Sequence, residues 1–296
     1  MRFWQRIRCI AIAICMLICA LFASCATGEE DGGEVTMKKF RMLMIGNSYS
    51  DDTAWLLPSI AAGFAFEEME IGVLYIGGCS LDQHYLNSLT NAASYNFRYF
   101  ENANWIETYG DELKSLEFGI QFKDWDIITM QQSSVQSGVP LSYGPSLTGL
   151  ISFVKEKATN PNMKLVWNMT WAYAKDYENM QACGYPDQET MYRFITSTVQ
   201  SVIVPNENFV AISPAGTAIQ NARSALGDTL NRDGTHLTFD LGRYIAACCM
   251  FCTITGCSVD KIAWVPFGLN EKTARIAKDS VKGALKNKSQ VTPVEK

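Results

Sequence analysis

Five short apolar runs, 40–45, 71–76, 126–130, 164–169 and 209–212, recur along the chain with stretches of helical periodicity between and after them. This alternation is the mark of strand–helix–strand units, which lay their strands side by side in a parallel sheet covered by helices. The helical patterns span 54–64, 147–157, 189–202, 239–255 and 271–285. The chain beyond residue 39 is long enough for one α/β domain with a substantial core, and no internal repeat breaks it up. In open sheets of this kind, ligands bind in the crevice outside the carboxyl ends of the strands. Ser48, Gly78, Gln131 and Trp171 each fall just past such an end. Four separate segments are therefore expected to meet in one crevice.

The amino end carries a different signal. Arg2, Arg6 and Arg8 precede an apolar stretch, 9–22, that is shorter than the roughly 20 residues needed to span a bilayer. Residues 1–24 read as a signal peptide. The run Leu21-Phe22-Ala23-Ser24-Cys25 resembles the lipobox of bacterial lipoproteins, which implies cleavage before Cys25, lipidation of its sulfur and a place in the cell envelope or at the cell surface. Residues 25–39 then form a polar tether, 40–286 the folded domain, and 287–296 a polar tail expected to fray. The whole chain has a net charge of −5, and losing the three leader arginines makes it more negative still. This argues against nucleic acid as a partner, since nucleic acid is bound through basic patches.

Within the domain, the chemistry centres on Ser48, in Gly46-Asn47-Ser48-Tyr49, and on Asp233-Gly234-Thr235-His236. A serine hydroxyl needs a base to take its proton and a third group to orient that base. The chain contains two histidines, His84 and His236, and only His236 has a carboxylate three residues away on one local turn. That spacing lets Asp233 hold one imidazole nitrogen while the other faces Ser48. Alone, Asp-Gly-Thr-His also describes a surface turn. An α/β-hydrolase arrangement fits poorly, because its nucleophile sits in G-x-S-x-G and its acid and base come from separate loops; here position 50 is Ser50.

Taken in order, Gly46-Asn47-Ser48, Gly77-Gly78-Cys79-Ser80, Met130-Gln131-Gln132-Ser133 and Asp233-Gly234-Thr235-His236 resemble the four blocks of the SGNH (GDSL-like) hydrolase superfamily. The nearest resemblance is to a Bacteroides-type branch known only as a domain of unknown function. The resemblance implies a three-layer α/β/α, flavodoxin-like fold with a five-stranded parallel sheet, and a serine esterase acting through an acyl-enzyme without metal or organic cofactor. It implies Ser48 as nucleophile, His236 as base and Asp233 as its orienting acid, with the backbone N–H groups of Ser48 and Gly78 in the oxyanion hole. Where the superfamily commonly has an asparagine in the third block, this chain has Gln131 and Gln132, so either amide is a candidate third donor, Gln131 the favoured one. Asn47 stands where an aspartate is usual, a change expected to affect turn bonding more than chemistry. The implied substrate is a small-molecule or glycan ester, foremost an O-acetyl group on a carbohydrate. An acyltransferase and a non-catalytic glycan-binding lipoprotein are the alternatives.

Several residues have two readings. His84 follows the oxyanion-loop glycine and either touches substrate or packs against the next helix. Trp171 and Tyr173 are either a stacking wall for a sugar or core aromatics. Arg223 is expected to pair with a nearby aspartate. Cys248, Cys249, Cys252 and Cys257 lie in an apolar stretch without a nearby histidine, which suits small core residues better than a zinc site. Disulfides are open to an exported protein, but their pairing is not legible in the sequence.

Overall fold

The computed structural model describes residues 35–101 and 103–296. The leader and Cys25 lie outside the described residues. All five apolar runs form strands: β1 (Lys39–Gly46), β2 (Glu68–Tyr75), β5 (Ile127–Met130), β6 (Lys164–Asn168) and β7 (Phe209–Ser213). They pair in parallel in the order β2-β1-β5-β6-β7. β1, at the centre, is buried along most of its length, as an apolar run with a strand on each side must be.

The sheet has seven strands, not the five expected. β3 (Asn96–Glu101) and β4 (Asn104–Ile106) add an antiparallel extension beyond β2. β3 reads Asn-Phe-Arg-Tyr-Phe-Glu, with Phe97 and Tyr99 buried between less buried neighbours. One face meets the core and the other does not, so the strand alternates and leaves no continuous apolar run in the sequence.

Helices cover the sheet. α1 (Ser48–Ala54), α2 (Leu57–Ala61), α7 (Ala215–Leu226), α8 (Leu241–Thr255) and α9 (Glu271–Lys286) contact one another in one layer, while α3 (Leu81–Thr90), α4 (Leu116–Gln121) and α5 (Ser146–Lys157) do so in another. α6 (Gln188–Thr198) lies between β6 and β7. α1, α3, α4 and α7 fall outside the helical patterns read from the sequence. The polar tail meets α7. Its Thr292 and Val294 N–H groups donate to Asn221 Oδ1 (2.7 Å) and Ser224 Oγ (2.8 Å) of α7, so side chains of that helix give the polar segment its partners.

Candidate active site

β1 reaches the crevice at Gly46, where a Cβ would overlap the Ser50 hydroxyl and crowd Gln131. Glycine lets the chain turn directly into α1. Asn47, in an extended conformation, caps that helix by accepting the Tyr49 N–H at 3.0 Å. Ser48 takes the first helical position, where its own N–H has no acceptor within the helix. The polar run Ser-Tyr-Ser-Asp-Asp shows no helical periodicity of apolar residues; the signal for this helix is its cap and its acidic residues near the start.

The Ser48 hydroxyl lies 2.8 Å from His236 Nε2, and His236 Nδ1 lies 2.7 Å from Asp233 Oδ2. A carboxylate only accepts, so Nδ1 carries the imidazole proton and Nε2 is left to accept from Ser48. The other oxygen of Asp233 accepts the His236 N–H (2.7 Å), the Thr235 N–H (3.0 Å) and the Thr235 hydroxyl (3.0 Å). Partial burial works against the charged form, but these bonds and the neighbouring imidazole outweigh it and hold the Asp233 carboxyl well below the usual carboxylate range. The turn that permits this passes through Gly234 at φ 86°, where a Cβ would run into the Tyr177 ring.

A second carboxylate, missed in the sequence, braces the site. Asp52 is fully buried one helical turn after Ser48. It accepts the Leu237 N–H at 2.8 Å, Arg243 Nε at 2.8 Å and the Arg232 guanidinium at 3.0 Å. α1 thus carries both the serine and the group that anchors the residue after His236. Asp52→Ala is expected to leave two arginines without their buried partner and cost about 3–5 kcal/mol. The check is thermal unfolding, with a Tm fall of roughly 10 °C; a change of a degree or two would show that Asp52 is not the brace.

Trp171 and Tyr173 are core aromatics. Trp171 stacks on Tyr49 at 4.1 Å and donates its indole N–H to Thr235 O at 2.9 Å, supporting the Asp–His turn from below, while buried Tyr173 is 2.8 Å from Ser134 Oγ. Neither offers a face to a sugar. His84 is buried too, with Nδ1 2.9 Å from the Tyr95 hydroxyl, so it packs instead of touching substrate. Arg223 pairs with Asp228 at 2.8 Å, as expected of it.

Burial pushes the His84 imidazole down to about 3. Unfolded chains take up this proton near pH 6.5, whereas the native protein resists it, so stability is full above that pH and is lost progressively as pH falls toward 3. Tm measured from pH 7 to 4 should decline less steeply in His84→Gln than in the natural protein; equal slopes would exclude His84 as a source of the loss.

The two glutamines do not aim at Ser48 as expected. Gln131 donates to Asn47 Oδ1 at 2.7 Å, and its oxygen accepts from Ser50 Oγ (2.8 Å) and Asn168 Nδ2 (2.9 Å). Gln132 donates to the Ser142 carbonyl and hydroxyl, both at 3.0 Å, and accepts the Leu81 and Ser133 N–H groups. Both side chains are buried and hold the surrounding turns together. Asn47 donates to the Cys79 carbonyl at 3.0 Å, a bond an aspartate could not make, and so ties the Ser48 turn to the Gly78 turn. Gly78 is exposed at φ 64°, and among the described residues no acceptor takes its N–H.

A serine after the first strand of a parallel sheet, a glycine turn after the second and an Asp–His turn late in the chain define an SGNH-type hydrolase fold. The chain belongs to the DUF4886 family, a domain of unknown function, whose model matches residues 41–284. It is similar to a DUF4886 family protein from Bacteroides uniformis, with 33% identity and a TM-score of 0.81, covering 86% of this chain and 98% of that one. A protein from Slackia heliotrinireducens assigned to the SGNH hydrolases shares the fold at 20% identity and a TM-score of 0.51, covering 73% of this chain and 99% of the other. No curated protein matches the chain.

Proposed function

We propose that the protein is a serine esterase that cleaves an O-acetyl group from a carbohydrate through an acyl-enzyme. The observation that carries this reading is the hydrogen-bonded chain from the Ser48 hydroxyl through His236 to Asp233. Ser48 Oγ attacks the ester carbonyl as its proton passes to His236 Nε2. Asp233 stabilises the imidazolium, and the Ser48 and Gly78 N–H groups receive the developing oxyanion. His236 returns the proton to the departing sugar oxygen. Water, deprotonated by the same imidazole, then releases acetate and restores the serine.

The carbohydrate assignment rests on resemblance to the superfamily and on one supporting feature. A depression of about 420 Å³ beside the oxyanion turn is lined by Ile76, Gly78, Ser80, Gln83, Asn87 and Ser94 among others, with no charged side chain. Hydroxyls and amides of this kind suit the hydroxyl groups of a neutral sugar. The test is acetate release from acetylated glycans beside turnover of 4-nitrophenyl acetate. Turnover of neither sinks the esterase reading, and turnover of the aryl ester alone sinks the carbohydrate part. Product formed only with an added sugar acceptor would mark a transferase; glycan retention without turnover, unchanged in Ser48→Ala, would mark a binding protein.

Lipid anchoring through Cys25 belongs to the same proposal and draws on the leader sequence alone. Cys25→Ser should move the protein from the membrane fraction to the soluble one, and unchanged partitioning would refute the anchor.

A further inference from the structure

The end of α8 holds a pair of thiols that the proposed chemistry does not use. Cys252 lies in the last turn of that helix, and Gly256, at φ 72° with its N–H on Cys252 O at 2.9 Å, reverses the chain just beyond it. The reversal lays Cys257 back over the helix end. Its sulfur stands 3.9 Å from that of Cys252, and both side chains are buried, at 4% exposure each. A disulfide needs about 2 Å between sulfurs, so the two sulfurs must approach by about 2 Å more.

We propose that Cys252 and Cys257 form a disulfide that staples the carboxyl end of α8. The pair is also suited to forming it. A hydrogen bond with Cys252, opposed by burial and aided by the Thr255 hydroxyl and Lys261, lowers the Cys257 thiol, while burial alone pushes Cys79 up to about 12. The nucleophile in disulfide exchange is the thiolate, so Cys257 attacks first. Its sulfur displaces one thiol from a small-molecule disulfide, leaving a mixed disulfide. Cys252 then loses its proton and attacks the Cys257 sulfur, expelling the second thiol. Two protein thiols are oxidised and one external disulfide is reduced. Since both sulfurs are nearly covered, the exchange takes place during folding or when the last turn of α8 opens.

The experiment refolds the full chain in glutathione disulfide, then denatures it, alkylates it with iodoacetamide and digests it with chymotrypsin. Cleavage after Phe251 separates the proposed pair from Cys248 and Cys249. The expected peptide carries Cys252 and Cys257 linked, two hydrogens lighter than the dithiol and without alkylation. Both cysteines alkylated, or a link to Cys248 or Cys249 instead, overturns the proposal. A short-loop disulfide should also raise Tm by about 5 °C over the reduced protein. That difference should vanish in Cys252→Ser, and if this variant does not fold, the peptide masses of the natural chain decide alone.

Discussion

Replacing Ser48 by alanine should remove ester turnover by about 10⁶-fold, the scale seen when a serine hydrolase loses its nucleophile. The same variant should lose all labelling by a fluorophosphonate, because an activated serine attacks phosphorus as it attacks a carbonyl. Ser48 is half-buried and its hydroxyl bonds to His236, so Tm should hold within a few degrees. The loss would then be chemical and not structural. Labelling of a different serine in the natural protein, or none in folded protein, would end the acyl-enzyme mechanism.

The second large effect is expected of Asp233→Asn, which should lower kcat by about 10⁴-fold, as an equivalent change does in a serine protease. The amide can still fill the place of the carboxylate, but it can present an N–H to Nδ1. The imidazole would then be held with its proton on Nε2, facing Ser48 with a donor where an acceptor is needed. The lowered protonation point of the Asp233 carboxyl sharpens this test. Its carboxylate stays charged well into acid, so kcat/KM of the natural protein should fall in acid with a slope of one proton, not two. A slope of two, or an Asp233→Asn enzyme within a few-fold of the natural one, would remove Asp233 from the orienting role.

Much of this architecture was legible because the central strands are covered on both sides and must be apolar throughout. β1, β5 and β6 show up as apolar runs for that reason. The β3–β4 extension follows the opposite logic, with polar Asn96 and Arg98 alternating with Phe97 and Tyr99. The Ser48–His236–Asp233 constellation was legible because the chain has only two histidines and one has a carboxylate three residues away. Asp52 was not. Nothing in Ser-Asp-Asp-Thr tells which aspartate turns inward, and its partners Arg232, Leu237 and Arg243 come from 180 or more residues further on. The partners of Gln131 and Gln132 are hidden for the same reason. Residue type marks an amide as a possible donor, while the acceptor it meets depends on loops brought together only by the fold.

The direction of β1 also decides how the domain can be presented to a large substrate. The strand enters at Lys39 and leaves at Gly46, directly before Ser48, so at about 3.3 Å per residue the entry and the reacting hydroxyl stand roughly 25 Å apart, at opposite ends of the sheet. A support that takes hold of the domain at Lys39 therefore lies at the end of the sheet away from the crevice, and leaves the crevice open to a polymer. Protein coupled to a bead through its amino-terminal side should consequently act on long glycans as freely as on small esters.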